Sequence, residues 1–465
     1  MTADTKTSPS QSDLLIVGGG PTGLAAASDA VRHGLSVRII ERRATRAEYS
    51  KALVVHARTM EIFERLGCAE PVLERGARFR ALHIHTQPGQ ARTRVDLLDR
   101  SWGDTRYPFW LSIPQYEVER VLEAKAHEHG LILEWSTELT GLVQDADGVT
   151  ATLRDANGAI TTHRSRWLLG CDGGRSTTRD LIGIALQRTE LGRTFTLADV
   201  STNSELVGDE GHMVWADEGL LLIVPMPADG VWRLIAEVSP GTPELDAAGW
   251  NVLVQRRSGI DLKVQSMGWH SRFNLASGVS DRLRQGRVFL LGDAAHVHSP
   301  VGGQGLNTGV QDAHNLIWKL ALVHRSDVTD TAREVLLDSY EAERHPAAVA
   351  MVRSTERATR LITTGGLFRA LLRRVAPLLL KVERVKDRLG RGVGMLDLRT
   401  AGRPRLPNPP LEDGRRLHDR IHPTRPTRLQ WEGSTLLVRP DGVVAHPGEL
   451  PALETVDLSQ VRRSA

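Results

Sequence analysis

Short, mostly apolar runs alternate along this chain with stretches whose apolar positions recur every three or four residues. The first run, residues 13–17 (Asp-Leu-Leu-Ile-Val), has the form of a parallel strand buried on both faces. The spacing then predicts a helix over 24–33, stopped by Gly34, and a second strand over 36–40. Helices are predicted over 59–66 and 115–129, the second with Val118, Val121, Leu122 and Ala126 on one face. A strand at 131–135 follows, then hairpin strands at 138–143 and 149–153 around Ala146-Asp147-Gly148. Two further apolar runs, 166–170 and 287–291, each end in small, flexible residues. After the second, Leu306, Val310, Ala313, Leu316, Ile317 and Leu320 mark a long helix.

From 186 to 281 the texture changes. Strands are predicted over 214–224 and 231–238, separated by a turn at 225–230, and Trp215, Trp232, Trp250 and Trp269 fall in this part. It reads as a smaller, mostly antiparallel sheet domain, with one face on its own core and the other free to close a ligand cavity. Trp215, Leu222 and Val224 are its candidate substrate contacts. A helix over 334–344 is predicted to stop at His345-Pro346. Residues 367–389 form a basic amphipathic segment, read as a helix packed on the main body. The glycine-rich 390–394 reads as a loop, 403–410 as a linker, and 434–438 with 443–446 as a hairpin. The fold class expected is α/β. A Rossmann-like domain (13–185 and 282–350) carries the inserted sheet domain (186–281), followed by a helical segment (351–400) and a C-terminal region (401–465). Residues 1–12 are expected to be a disordered lead-in.

Composition narrows the classes of function. The chain has 465 residues, enough for two or three domains, with 40% hydrophobic and 25% charged residues. A net charge of +3 does not point to nucleic acid, and the lack of a long apolar run predicts no membrane-spanning helix. The polar lead-in has no apolar signal-peptide core. Cys68 and Cys171 are the only cysteines, too few for a disulfide framework and not spaced as metal ligands, so a cytoplasmic setting is the default.

The chemistry-bearing motifs sit at strand ends. Gly18-x-Gly20-x-x-Gly23 follows the first strand, opens a helix, and is matched by Glu41 at the end of the second strand. In such a turn the first glycine makes the bend, the second lets backbone approach a pyrophosphate, and the third lets helix and strand pack. The acidic residue can bond a ribose hydroxyl. One such fingerprint fits either an NAD(P) dehydrogenase or an FAD protein. The loop Pro300-Val301-Gly302-Gly303-Gln304-Gly305 is a backbone-only turn whose following helix aims free N–H groups and a positive dipole end outward.

Taken with Cys171-Asp172-Gly173-Gly174-Arg175-Ser176 and Gly292-Asp293-Ala294-Ala295-His296, these motifs resemble the single-component FAD-dependent aromatic hydroxylases. The likeness covers residues 13–346. It implies FAD as resident dinucleotide, NADPH or NADH as reductant and O2 as co-substrate. One oxygen atom would pass from a flavin C4a-hydroperoxide to a small aromatic or polycyclic substrate. It implies that Gly18, Gly20, Pro21, Thr22 and Gly23 hold the pyrophosphate end, and Glu41 and Arg42 the adenosine end. Gln115 and Asp293 would lie by the ribityl chain, and Asp172 and Gly173 would serve FAD and the reductant. The backbone of Gly302, Gly303, Gly305, Leu306 and Asn307 would lie against the ring, and the Pro300 carbonyl would face the substrate. Lys51 stands where many members have arginine, keeping the charge but not the bidentate fork. Many members end in a complete thioredoxin-like domain; the length after Ala401 implies a truncated remnant.

No acid or base is evident. Tyr49, Tyr107, Tyr116 and Tyr340 are the only tyrosines, and none lies in the inserted domain. His56, His83, His85, His212, His270, His296 and His298 are proton-transfer candidates by residue type alone. His298 and Pro300 are the nearest to the site by sequence. Baeyer–Villiger oxidation or epoxidation on the same fold, and an FAD-binding protein without turnover, are the alternatives. A monomer or homodimer is expected.

Overall fold

The computed structural model describes residues 10–49, 52–85, 92–96, 104–298, 302–325, 329–363, 382–397, 405–409, 411, 416–431, 434–445 and 456–461. Its main sheet is centred on the strand Ser10–Val17, with Val37–Ile40 and Ile160–Gly170 parallel on either side. Leu133–Glu134 and Val288–Leu290 extend it in parallel. The hairpin Glu138–Gln144 and Val149–Arg154 joins antiparallel. Leu14, Leu15 and Ile16 have no exposure, as the unbroken apolar run requires. The strand begins at Ser10, not residue 13. Part of the expected lead-in is therefore paired, because the long neighbouring strand offers partners at His163–Ser165.

Helices flank this sheet: α1 (Pro21–Arg32), α2 (Ala57–Arg65), α3 (Ala69–Glu74), α4 (Gln115–Glu128) and the short α5 (Thr177–Leu181). Helix α1 starts three residues before the predicted position. Pro21 at its first position has no N–H to leave unsatisfied, and its ring pre-sets a helical φ.

The second sheet runs His296–Val297, Val264–Ser280, Leu186–Thr202, Val231–Val238, Gly219–Pro225, Glu210–Ala216, Ala81–His85, Thr93–Asp96. It therefore takes strands from 81–96 and 296–297 as well as from the predicted insert. The single strand predicted over 214–224 is in fact two. The chain reverses at Asp217-Glu218 and Gly219 takes φ +121°, so Ala216 pairs with Gly219. Helix α6 (Ala247–Ser258) packs on one face. Trp250, Leu253 and Val254 cover Val214, Leu221, Ile223, Leu234 and Ala236.

Two long helices complete the body, α7 (Gly305–Arg325) and α8 (Asp330–Thr363). Helix α8 does not stop at His345-Pro346 but runs through Pro346. An interior proline costs roughly 3 kcal/mol. The residues just before it are fixed by tertiary bonds: Glu343 to Lys319, Arg344 to Asp312 and His345 to the Ser280 carbonyl. The expected loop at 390–394 is instead largely the end of helix α9 (Glu383–Val393). Of the basic segment 367–389, residues up to 381 lie outside the described residues. No helix of the described residues is long and apolar enough to cross a membrane, and no group of side chains among them could hold a metal ion.

The C-terminal part forms a small sheet of Thr427–Trp431, Ser434–Val438 and Val456–Val461 over Leu406, Leu417, Ile421 and Leu429. Ser434–Val438 pairs along its length with Thr427–Trp431. The expected partner at 443–446 is met only by a bridge from Val438 to Val444. Buried charges fasten this part to the body. Arg439 has no exposure; it donates to both Glu343 oxygens at 2.7 and 2.8 Å and to Asp441 at 2.5 Å. Glu343 also receives Lys319 Nζ at 3.0 Å and Asn315 at 2.7 Å.

Breaking one member of such a set strands the others in a low-dielectric interior, at about 3–5 kcal/mol. Arg439→Ala should therefore lower the unfolding free energy by about that much in denaturant titration. An unchanged midpoint would show that the network contributes nothing to the fold.

Candidate active site

The first strand–helix turn contains two kinds of glycine. Gly18 has φ +114°, and a Cβ there would lie 2.3 Å from the Cys171 carbonyl oxygen. A Cβ on Gly23 would lie 1.9 Å from the Gly18 carbonyl. Both glycines are demanded by the protein's own packing. Gly20 is different: its φ is −78° and an added Cβ would meet nothing within 4 Å. The space in front of it is open, at the N-terminus of α1, where N–H groups and dipole favour an anion.

That space belongs to a cleft of about 240 Å³ lined by Gly18, Gly20, Glu41, Arg42, Gln115, Asp172 and Gly173, with Arg43 and Glu119. Seven predicted cofactor residues from separate chain segments thus meet in one cleft. Glu41 accepts from the Gly19 N–H at 2.8 Å, from the Arg43 N–H at 3.0 Å and from the Arg43 guanidinium. Burial alone would raise its pKa; these donors overcome it and hold the carboxyl below its usual range. Gln115 donates to Glu119 at 2.8 Å, and burial pushes Glu119 up. Arg43 and Glu119 escaped the sequence reading, since neither occupies a motif position. The Asp172 carboxyl is occupied by Ser176 Oγ, Thr178 N–H and Thr178 Oγ1 at 2.5–3.0 Å, fixing the start of α5.

The second half of the site is the approach to α7. Gly292–Ala294 is a 3₁₀ turn with Asp293 exposed. Asp312 of α7, with no exposure, accepts from the Gly292 N–H at 3.0 Å, from His296 Nε2 at 2.8 Å and from Arg344 Nε at 2.6 Å. Burial would raise its pKa, but Arg344 and His296 hold it down. His296 is thereby a structural ligand of this carboxylate. Thr22 packs under the same junction. A Cβ on Gly309 or Gly292 would come 2.1 or 2.6 Å from its Oγ1. Asp293 and His298 lie together beside Gly305, whose added Cβ would sit 3.1 Å from His298 Nε2 and 4.0 Å from Asp293 Oδ1.

Gly302 and Gly303 both take positive φ, +86° and +62°. The Asn307 side chain turns inward. Its Oδ1 accepts the His56 N–H at 2.9 Å, and its Nδ2 donates to Val54 O at 2.9 Å and Gly303 O at 2.7 Å. Only the Asn307 backbone is left to serve a ring. Leu306 packs half-buried against the main core. Lys51 and Pro300 lie outside the described residues.

Trp215, Leu222 and Val224 are half-buried on the sheet face opposite α6, with Met213 and Ile235. Trp110 joins Phe79, Met213 and Val224 at this face and meets His56 edge-on, ring centroids 5.9 Å apart. The glycine loop and the apolar face are thus linked through His56 and Trp110, and Trp110 was not anticipated. The other histidines lie elsewhere. His83 pairs with Glu210 at 2.5 Å, and His85 with His212 at 3.0 Å, near the sheet's far edge. Burial lowers His85 to about 4 and His212 to about 3, so both are neutral at pH 7. His270 pairs with Glu244 on the surface. The Tyr340 hydroxyl is buried and donates to the Leu290 carbonyl.

Residues 11–355 match the family model described as an FAD binding domain. The chain is 36% identical to a 6-methylpretetramide 4-monooxygenase of Streptomyces rimosus, over 84% of this chain and 70% of that one. Among solved structures it resembles an anhydrotetracycline hydroxylase of Streptomyces rimosus. The TM-score is 0.76 at 31% identity, covering 94% of this chain and 95% of that one. A Diels-Alderase of pyrroindomycin biosynthesis gives a TM-score of 0.77 at 29% identity, covering 95% and 97%.

The two glycine types separate cofactor binding from folding. Gly20→Ala should stay within ~1 kcal/mol of the parent in stability. It should weaken FAD binding by about tenfold or more, ~1.4 kcal/mol. Gly23→Ala should fail to fold normally, because its contact is backbone. Unchanged FAD affinity in Gly20→Ala, measured by flavin fluorescence, would remove Gly20 from the cofactor cradle.

Proposed function

The chain belongs to the FAD-dependent aromatic monooxygenases of the hydroxylase type, and we propose that it hydroxylates a bulky, polycyclic aromatic compound, consuming NAD(P)H and O2. The observation that carries this reading is the meeting of a bare glycine loop with a broad apolar sheet face through His56 and Trp110. The relative is named for 6-methylpretetramide and the solved hydroxylase for anhydrotetracycline, in keeping with that face.

FAD bound here would supply the two-electron and oxygen-transfer chemistry that no side chain offers. Gly18, Gly20 and the α1 N-terminus would hold its pyrophosphate. Glu41, held ionised, and Arg42 would serve the adenosine end, and Gln115 and Asp293 the ribityl chain. The Gly302–Asn307 backbone and the N-terminus of α7 would face the ring and favour the negative charge of its reduced form. Trp215, Leu222 and Val224 exclude water and orient the substrate by shape. On the same face Arg233, directly across from Val224, is paired with Asp199 at 2.7 and 2.8 Å, and the substrate's own electron-rich ring provides the reactivity. The main sheet and its helices make the flavin unit, and 186–281, joined in its sheet by strands from 81–96 and 296–297, the substrate unit. The two cysteines, both free and buried, suit a reducing cytoplasmic setting.

The likeness to a Diels-Alderase supports a second reading, in which the fold binds a polycyclic substrate without oxygenating it. The two are separated by one assay. Purified protein should be yellow, and polycyclic phenols or quinones should stimulate its NAD(P)H oxidation and yield a product heavier by one oxygen atom. Flavin that NAD(P)H cannot reduce without oxygen, even with substrate bound, would sink the monooxygenase reading.

A further inference from the structure

His56 precedes α2 and is 1% exposed. Its Nε2 lies 2.8 Å from the Gly302 carbonyl oxygen. A carbonyl can only accept, so Nε2 carries the hydrogen and Nδ1 the lone pair. Nδ1 is buried with no partner, and the ring meets Trp110 edge-on at 82°. A second proton would have to sit on that unpartnered nitrogen. Burial accordingly lowers the His56 pKa to about 4, despite the opposing Gly302 and Gly303 carbonyls. Around neutral pH His56 is a neutral, one-sided donor.

The consequence lies in the peptide planes. In a trans peptide the C=O and the following N–H point in opposite directions. Drawing the Gly302 carbonyl toward His56 turns the Gly303 N–H away. Asn307 does the same for the next plane: its Nδ2 holds the Gly303 carbonyl at 2.7 Å and so turns the Gln304 N–H away. Asn307 is itself set by the His56 backbone N–H. One residue therefore governs two consecutive planes, the first by its ring and the second through Asn307. Both planes involve glycines with positive φ, which have no side chain to fix them.

We propose that His56 is a positioning residue: its neutral imidazole locks the Gly302–Gly303 peptide so that the loop presents N–H groups to the reduced, negatively charged flavin. The proposal rests on the loop facing the flavin, as read above. It predicts that His56 matters more to reduced than to oxidised cofactor, since a fixed dipole is worth most where charge develops.

Two amides test it. A glutamine side-chain nitrogen reaches roughly the position of Nε2, whereas an asparagine nitrogen reaches only that of Nδ1. His56→Gln and His56→Asn are compared with the parent as FAD-loaded proteins. The readouts are the FAD dissociation constant and the midpoint potential, which together give the affinity for reduced flavin. His56→Asn should lose about tenfold in reduced-over-oxidised preference, the scale of one hydrogen bond. It should also release more hydrogen peroxide per NAD(P)H. His56→Gln should recover most of both. A parental potential in His56→Asn, or equal defects in the two variants, would overturn the proposal, the latter by reducing His56 to a packing role. If His56→Asn does not fold by circular dichroism, His56→Gln with a potential unlike the parent's overturns it equally. Parent protein that takes up no FAD would instead remove the reading of the loop, and the proposal with it.

Discussion

The arrangement of this site depends on a carboxylate that never meets solvent. Asp312 binds the Gly292 N–H, His296 and Arg344 at once, from within α7. These partners belong to three different pieces: the end of a main-sheet strand, the short strand that enters the second sheet, and α8. An unpaired carboxylate in that position would be severely penalised, so the three pieces must arrive together for the charge to be tolerated. The same requirement explains why α8 continues through Pro346. Arg344 and Glu343 are both committed to partners on α7, and the helix geometry that aims them extends past the proline.

A second set of buried charges reaches the loop from behind. Arg58 on α2 donates to the Asp441 carbonyl at 2.7 Å, its own N–H reaches Gly394 O, and Glu61 one turn on receives Arg405. The C-terminal segments therefore seat α2, and α2 follows directly on His56, which holds Gly302. This is a chain of discrete contacts. It gives the C-terminal region a physical relation to the glycine loop although it contributes no motif to the cleft. Such ion networks are weak evidence for net stability, since apolar packing often does as well. Their value here is directional: charge pairs fix register in a way that interchangeable apolar contacts do not.

Much of this was legible beforehand wherever local rules and tertiary structure agree. The apolar runs at 13–17, 166–170 and 287–291 became adjacent parallel strands, and the motifs that follow the first two line one cleft. Failures came where tertiary bonds outweighed a local signal. Pro346 is a stop signal overridden by anchored neighbours. Gly390 and Gly392 lie in a helix whose end is held against α2. Asp217-Glu218 is a turn that a long apolar count concealed. Strands 81–85 and 93–96 hold histidines and arginines where buried strands usually hold aliphatics; those polar groups are paired with Glu210 and His212, partners far away in sequence. His56 and Trp110 belong to the same class, since their importance lies in what they touch.

The contrast between Gly20 and its neighbours sharpens what a glycine motif can mean. Gly18 and Gly23 answer to the protein's own atoms, so their presence would be required in any chain that bends this way. Gly20 answers to nothing in the protein, and the space before it opens on the cleft. The second loop repeats the contrast with the roles moved to side chains. Gly302 and Gly303 adopt positive φ that the fold does not by itself hold in place, and His56 and Asn307 supply the restraint. A bare loop gives a flat ring close approach but leaves its peptide planes soft. Close approach without orientation would offer the ring a surface and no field. The histidine behind the loop is the physical complement of the glycines in front of it.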